Sequence, residues 1–207
     1  MKLSILTPAV PSRFSDTTFS APPRQGALEL LMHELEKQIG NLPVEHLILC
    51  DNKRRTVGEK RDALLRIARG DYVTFVDDDD FVSGDYVSSL LGAMDSAPNT
   101  HRTTGPDVIT FRQRATVNGH SGEVEFRLGN PNEPFTPDGV TRRNAWHVCA
   151  WRRSLAVCSS FPANNYGEDW AYASRLCAVP GLREAHIPRV LHHYHHSSAT
   201  TEAPPPG

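Results

Sequence analysis

The sequence predicts one α/β domain, with a mostly parallel central sheet flanked by helices and a small β-hairpin inserted in the second half. Apolar runs typical of strands alternate with helical patterns over the first half of the chain. Further along, two short strand-like runs flank a turn that contains asparagine and glycine, which is typical of a hairpin. A length of 207 residues, with 39% hydrophobic and 22% charged residues, suits a single globular core.

Hydrophobic spacing and turn residues place the elements of the first half. Strands are predicted at 3–6, 44–50 and 72–76, and helices at 28–39, at 56–69 and from Ser83 or Gly84 to about Met94. The second of these helices has a clear start, because Thr56 is followed three residues later by Glu59 in a capping-box pattern. This β-α-β-α-β-α order favours parallel strands with helices on both faces.

The second half is less regular. Strands are predicted at 108–111, 147–151 and 190–194, hairpin arms at 114–117 and 123–128, and a helix at 170–179. Glu168 and Asp169 come directly before that helix, where acidic residues suit its positive end. We expect residues 1–199 to form the domain and residues 200–207, with three consecutive prolines, to be a flexible tail.

Composition and charge exclude several classes of protein. No stretch approaches the ~20 apolar residues of a membrane span, and Pro8 breaks the first apolar run too early for a signal peptide. The four cysteines lack C-x-x-C spacing, which favours free thiols and a reducing, cytoplasmic compartment. Because the net charge is −2, a contact with nucleic acid would need a local basic patch.

Four consecutive aspartates, Asp77 to Asp80, follow the predicted strand at 72–76. Open α/β sheets bind ligands beyond the carboxyl ends of their strands. Carboxylates crowded there repel one another unless a cation compensates them, and hard divalent ions bridge such carboxylates to phosphate. The run therefore predicts a metal-phosphate site at the end of a central strand. The alternative is a solvated acidic turn that caps the next helix.

Charged residues after the second strand predict further contacts with a nucleotide. Asp51 ends that strand and is suited to a base or ribose, although it could equally be a turn aspartate. Lys60 and Arg61 lie near the start of the following helix, whose free N–H groups could bind phosphate, and Gly58 would allow close approach. The alternative is a solvated basic face.

Two later segments carry residues suited to catalysis or metal binding. Glu168 and Asp169 lie at a loop-to-helix junction, where a carboxylate could act as general base or simply cap the helix. Residues 192–196 read His-His-Tyr-His-His. In a strand, His193 and His195 would share one face and the others the opposite face. One of these histidines could complete a metal site, and packing or surface roles are expected for most.

In this order the motifs resemble those of the family 2 glycosyltransferases, inverting enzymes of the GT-A fold, over about residues 3–198. The resemblance rests on Thr7-Pro8, Asp51, Gly58-Glu59-Lys60-Arg61, the segment from Gly70 to Asp80, Gly167-Glu168-Asp169-Trp170 and Tyr194-His195-His196-Ser197. The compact chain also resembles members encoded by bacteriophages, which implies a location in the host cytoplasm.

The resemblance implies a role for each motif. It implies donor contacts from Thr7, Pro8, Arg13, Asp51, Lys60, Arg61, Asp77 and Asp78, metal binding by Asp79 with His196 or His195, and catalysis by Asp169 with Glu168. Within the donor site, Asp51 would read the base, Asp77 the ribose, and Arg61 or Lys60 the diphosphate.

The expected activity is metal-dependent transfer of a sugar, with inversion, from a nucleotide-diphosphate sugar to an acceptor hydroxyl. A UDP-linked donor and Mn²⁺ (or Mg²⁺) are expected. Asp169 would deprotonate the acceptor while the metal and Arg61 neutralise the leaving diphosphate. The acceptor could be a hydroxymethylated base in DNA, a glycan or a protein. Basic residues that could contact DNA phosphates, or be scattered solubilising charge, are Arg112, Arg114, Arg142, Arg143, Arg152 and Arg153.

Two other functions fit the same residues less well. A sugar-1-phosphate nucleotidyltransferase shares the sheet and the metal-phosphate site, but a glycine-rich, arginine-containing loop is expected after its first strand. Residues 7–13 read Thr-Pro-Ala-Val-Pro-Ser-Arg instead. A non-catalytic module that binds sugar nucleotides or glycans would bind its ligand without turnover.

Overall fold

A computed structural model describes residues 1–11, 24–95 and 105–196, in which nine strands form one sheet with five helices around it. The strands are β1 (Leu3–Ala9), β2 (Val44–Cys50), β3 (Tyr72–Phe75), β4 (Phe81–Val82), β5 (Val108–Val117), β6 (His120–Phe126), β7 (Val140–Arg143), β8 (Ala150–Arg152) and β9 (Glu184–His196). The helices are α1 (Arg24–Ile39), α2 (Val57–Ile67), α3 (Tyr86–Asp95), α4 (Arg153–Ser159) and α5 (Glu168–Cys177).

The strands run in the order β2-β1-β3-β8-β5-β6-β7, and β9 pairs with both β5 and β4. Strand β1 is parallel to β2 and β3, so the carboxyl ends of all three meet at one edge. Strand β8 lies antiparallel between β3 and β5, and β9 is parallel to β5. The predicted α/β class with a mostly parallel sheet is confirmed.

The helices cover both faces of the sheet and bury a separate apolar cluster on each. One cluster joins Leu64 of α2 and Tyr172 of α5 to Phe75 of the central strand β3. The other joins Leu35 of α1 and Leu90 of α3 to the opposite face. The central strands are therefore buried on both sides, as the apolar sequence of β3 predicts. No helix in the described ranges is long and apolar enough to span a membrane.

Several elements differ from the sequence-based expectation. The hairpin turn is Asn118-Gly119, with both residues at positive φ (49° and 84°), which is tighter than the predicted five-residue turn. The short elements β4, β7 and α4 were not predicted, because two to seven residues carry little periodicity. Residues 200–207 and Arg13 lie outside the described residues.

Strand β9 is longer than predicted and contains a bulge. Phe111 of β5 pairs with Ile187, whereas Gln113, only two residues later, pairs with His192. The extra residues of β9 include Pro188, which a bulge accommodates because its ladder is already interrupted. Beyond the bulge the pairing is regular as far as His196.

Gly58, in the first turn of α2, lies against the backbone of the loop before α5. A Cβ at this position would stand 1.9 Å from the carbonyl oxygen of Pro162. We expect Gly58→Ala to lower the free energy of unfolding by about 1–3 kcal/mol, because backbone atoms must move apart. Urea denaturation measures this.

Gly92 supplies a matched control in helix α3, since a Cβ there meets nothing within 4 Å. We expect Gly92→Ala to raise the free energy of unfolding by about 0.5–1 kcal/mol through the helix preference of alanine. Equal stability of the two variants would contradict the close approach at Gly58.

Candidate functional site

The four carboxylates of the acidic turn after β3 differ in how deeply they are buried. Asp77 and Asp79 are half-buried, whereas Asp78 and Asp80 are buried. The turn is closed by a hydrogen bond from the Asp80 N–H to the Asp77 carbonyl (3.1 Å). The four aspartates therefore divide into a partly accessible pair, Asp77 and Asp79, and an internal pair.

The internal pair fixes the surrounding backbone. The Asp78 carboxylate accepts a hydrogen bond from the Val10 N–H (2.9 Å), which anchors the segment after β1. Asp80 accepts from the His195 N–H (3.4 Å) and lies 3.4 Å from His192 Nε2. Burial and the negative charges of the neighbouring aspartates raise the pKa of Asp80 well above its usual range. Asp78 thus has a structural contact, and its contact with the donor stays a prediction.

Arg61 joins the acidic turn to helix α5. One terminal nitrogen, Nη2, donates to both Asp77 oxygens at 2.8 Å, and the other, Nη1, donates to Glu168. Burial alone would raise the pKa of Asp77, but the Arg61 guanidinium lowers it below its usual value. Burial raises the pKa of Glu168 despite the same guanidinium. Arg61 is only 3% exposed. Its charge therefore pairs with two protein carboxylates, and its contact with a diphosphate stays a prediction.

Lys60 joins the ends of β1 and β2. Its ammonium donates to the Ala9 carbonyl (2.9 Å) and lies 3.2 Å from Asp51. Asp51 also accepts from the N–H groups of Lys53 (3.1 Å) and Arg55 (3.0 Å). Burial would raise the pKa of Asp51, but Lys60 and these donors lower it. Lys60 and Asp51 thus form an internal pair at the rim of the sheet, and their contacts with diphosphate and base stay predictions.

The start of helix α2 differs from the predicted anion site. The capping box is present, with Glu59 N–H donating to Thr56 Oγ1. The N–H of Val57 donates to the Asn165 side chain (2.9 Å), and that of Gly58 donates to the Asn164 carbonyl (3.1 Å). Because these N–H groups already have protein partners, the helix start does not offer them to phosphate.

Thr7 and Pro8 lie within β1 and are buried. The Thr7 hydroxyl bonds His46 Nε2 on β2 at 2.9 Å, so it lies between two strands. Burial lowers the pKa of His46 to about 4, which keeps the ring neutral. A contact of Thr7 or Pro8 with the nucleotide stays a prediction.

Glu168 and Asp169 begin helix α5, and they face different surroundings. Gly167 before them adopts a left-handed conformation (φ 71°), which glycine reaches without steric cost. Glu168 is buried against Arg61, whereas Asp169 is half-buried and lies 3.9 Å from Nδ1 of His147. Asp169 is thus the accessible carboxylate of the pair.

The terminal histidines alternate across β9, as the sequence predicts. His196 lines the cavity described next, while the ring of exposed His195 lies edge-on to Phe81 on the adjacent strand. His192 is buried, with Nδ1 bonded to Gln113 at 2.9 Å, and burial lowers its pKa to about 3. Of the two predicted ligands, His196 lines the cavity, whereas His195 contacts the acidic turn through its backbone N–H.

One cavity of about 390 Å³ brings these parts together. Its polar lining includes Asp77, Asp80, Asp169, His147 and His196. Its apolar wall comes mainly from the hairpin and nearby loops, with Val124, Phe126, Phe135, Trp146 and Tyr194. Carboxylates from two distant parts of the chain thus share one space with an apolar wall.

Comparison with models of protein families shows the family of this chain. A model of glycosyl transferase family 2 matches residues 33–157, which is more than half of the chain. The chain belongs to glycosyl transferase family 2. The matched segment contains the acidic turn and His147, while Asp169 and His196 lie beyond its end. A search of curated proteins gave no match.

Among solved structures, this family 2 chain is similar to TarS of S. aureus. TarS itself shows 14% identity and a TM-score of 0.57, over 94% of this chain and 37% of TarS. TarS 1–349 with UDP-GlcNAc shows 15% identity and a TM-score of 0.56, over 98% of this chain and 62% of that one. TarS 1–349 with UDP shows 17% identity and a TM-score of 0.53, over 95% of this chain and 61% of that one. The chain therefore shares the GT-A fold but spans less than two thirds of these proteins.

The basic residues considered for DNA contact in this family 2 chain are largely paired with carboxylates. Arg112 bonds Glu125 (3.0 Å), and Arg114 bonds Glu123 (3.0 Å), both across the hairpin. Arg152, the last residue of the inner strand β8, bonds Asp107 (3.3 Å). Arg143, by contrast, lines the cavity. Most of these positive charges are therefore offset by a neighbouring carboxylate.

The site also contains a residue that sequence reasoning missed. His147 was assigned only to a predicted strand, but it lies in the turn before β8 and faces Asp169 inside the cavity. A lone histidine among apolar residues carries no motif, so no local signal could identify it.

Within residues 1–11, 24–95 and 105–196, no group of three or more His, Cys, Asp or Glu side chains is arranged to hold a metal ion.

Proposed function

We propose that this family 2 protein is a metal-dependent, inverting glycosyltransferase that moves a sugar from a UDP-linked donor to an acceptor hydroxyl. The observation that supports it most directly is the shared cavity, where Asp77 of the acidic turn and Asp169 of helix α5 face the same space. Single displacement needs a leaving-group site and a proton acceptor on opposite sides of one sugar. The cavity of about 390 Å³ has room for a hexose between them.

The donor assignment rests on the fold and the accessible aspartates. TarS 1–349, which has the same fold, was solved with UDP and with UDP-GlcNAc. We propose that the nucleotide lies over the carboxyl ends of β1, β2 and β3, with Asp51 near the base and Asp77 near the ribose. Arg61 acts as a positioning residue in this proposal, since it holds Asp77 and Glu168.

The residues present fit a divalent ion that also binds phosphate. Asp79 supplies a half-buried carboxylate two residues after Asp77, and Asp77 and His196 both line the cavity. Mg²⁺ is usually held by one or two carboxylates plus substrate phosphates and water, and imidazole suits Mn²⁺. Fewer than three protein ligands are therefore sufficient. When bound, such an ion stabilises negative charge on the diphosphate leaving group.

We propose that the acceptor binds at the apolar wall of the cavity. Phe126, Phe135 and Trp146 form an apolar wall, and two exposed aromatics, Tyr166 and Trp170, lie within three residues of Asp169. Rings with an apolar face, such as a pyranose or a nucleobase, stack on side chains of this kind. A glycan and a hydroxymethylated base in DNA, as in a phage-type modification enzyme, both meet this requirement.

A screen of donors and acceptors by mass spectrometry tests the function. UDP- and GDP-sugars are incubated with glycans, peptides and hydroxymethylated DNA, with manganese or with a chelator. We expect UDP release and an acceptor heavier by one sugar. Release of pyrophosphate from a nucleoside triphosphate would instead indicate a nucleotidyltransferase, and binding without turnover would indicate a binding module.

The metal site is tested by Asp79→Ala. We expect this variant to bind UDP in the presence of Mn²⁺ at least about tenfold more weakly than the wild type, because the ion loses a protein carboxylate. Isothermal titration with and without chelator measures the effect. Asp71→Ala is the control, since Asp71 is exposed at the other end of the same strand. Unchanged titration curves with manganese would remove Asp79 from the metal site.

A further inference from the structure

His147 is held firmly in the wall of the cavity. It lies in a turn closed by a hydrogen bond from the Cys149 N–H to the Trp146 carbonyl (3.1 Å), which also accepts from the Trp151 indole (2.9 Å). The imidazole packs between the rings of Phe75 and Trp146, with centroids 6.3 and 6.2 Å away. The ring therefore has little freedom to turn.

Both ring nitrogens of His147 lack a hydrogen-bond partner within the described part of the chain, although the residue is only 6% exposed. Leaving a buried polar group unpaired costs about 1–3 kcal/mol, so such groups usually have a partner. Because His147 lines the cavity, a ligand can supply that partner. Burial and then the Arg61 charge lower the pKa of His147 to about 4, so the ring is neutral and carries one N–H.

The geometry relative to Asp169 identifies this partner. His147 Nδ1 lies 3.9 Å from Asp169 Oδ2, which is too far for a direct hydrogen bond. An oxygen atom placed about 2.8 Å from each would bond both at once. We propose that His147 and Asp169 together hold the acceptor hydroxyl, with Nδ1–H donating to its oxygen and Asp169 accepting its proton.

This inference rests on the proposed function and completes its chemical step. The acceptor O–H bond breaks, and its proton passes to the Asp169 carboxylate. The oxygen forms a bond to the anomeric carbon, while the bond from that carbon to the diphosphate breaks and its electron pair leaves with UDP. His147 exchanges no proton and fixes the position of the attacking oxygen.

Three substitutions separate this role from simple packing. In His147→Asn the amide nitrogen replaces Nδ1, in His147→Gln it replaces Nε2, and His147→Leu fills the space without a donor. We expect kcat/KM for the acceptor to fall by less than about tenfold in the Asn variant and by about 100-fold in the Gln and Leu variants. If His147 only fills space, leucine should be the mildest change and the smaller asparagine a worse one.

The rates are measured as UDP release from each UDP-sugar of the screen, with water and with the acceptor found there, and UDP affinity is measured by calorimetry. We expect UDP affinity to be the same in all three variants. If the wild type turns over and His147→Leu matches it, the inference is wrong and the proposed function stands. If the wild type releases no UDP from any donor, the proposed function fails and this inference fails with it.

Discussion

Asp169→Asn is expected to lower kcat for transfer by about 10²–10⁴-fold while the UDP-linked donor still binds. An amide cannot accept the acceptor proton, and general-base catalysis contributes rate enhancements of this size. Donor affinity should be unchanged, because the proposed donor contact is Asp77, whose carboxylate bonds Arg61 and not Asp169. Initial rates and UDP calorimetry on the same preparation measure the two quantities.

Asp95→Asn is the control for loss of a carboxylate. Asp95 bonds Lys2 (2.7 Å), which precedes β1 and so lies at the sheet edge opposite the cavity. We expect normal rates from this variant. Full activity of Asp169→Asn would exclude Asp169 as the base and would leave the roles of Asp79 and His147 without a common mechanism.

Arg61→Met is expected to lower the free energy of unfolding by about 3–5 kcal/mol. The variant removes the guanidinium that pairs with half-buried Asp77 and buried Glu168. Removing one partner of a buried ion pair costs about 3–5 kcal/mol, because the other charge stays buried and uncompensated. Arg61→Lys should recover only part of the loss, because an ammonium cannot form the same fork of hydrogen bonds. Urea denaturation with matched m-values measures both.

Arg66→Met, one turn further along the same helix, is the matched control. Arg66 is 72% exposed and pairs with Asp62 in an i,i+4 arrangement. Its loss should change stability by no more than about 0.5 kcal/mol. If Arg61→Met unfolds at the same urea concentration as Arg66→Met, the buried pairs contribute nothing and the positioning role of Arg61 is lost.

The parts of the fold that depend on local pattern were predictable from the sequence. The capping box at Thr56, the helix ending at Ile39 and the apolar strand before Asp77 each follow from spacing over a few residues. The meeting of Asp51 and Asp77 at one edge follows from parallel strands. These predictions succeed because side-chain period and turn chemistry act over short distances.

The partners of the buried charges were not predictable. Lys60 and Arg61 read as surface cations near a helix start, but α2 packs against the sheet and against α5, so both side chains are enclosed. Gly58 likewise allows contact with the loop at Pro162, not with phosphate. Arg61 and Gly58 each contact a segment about 100 residues away in sequence, and Lys60 contacts Ala9, 51 residues away, which no local pattern reports.

The bulge in β9 has a consequence for how the chain can vary. Successive side chains of a strand point to opposite faces, so the number of residues in the bulge determines which histidines face inward. Removal of a single residue near Pro188 would turn His196 and Tyr194 toward solvent and bring His195 to their place. The number of residues in this bulge therefore determines which face of the strand each later side chain of β9 occupies. Insertions or deletions of an even number of residues keep the cavity intact.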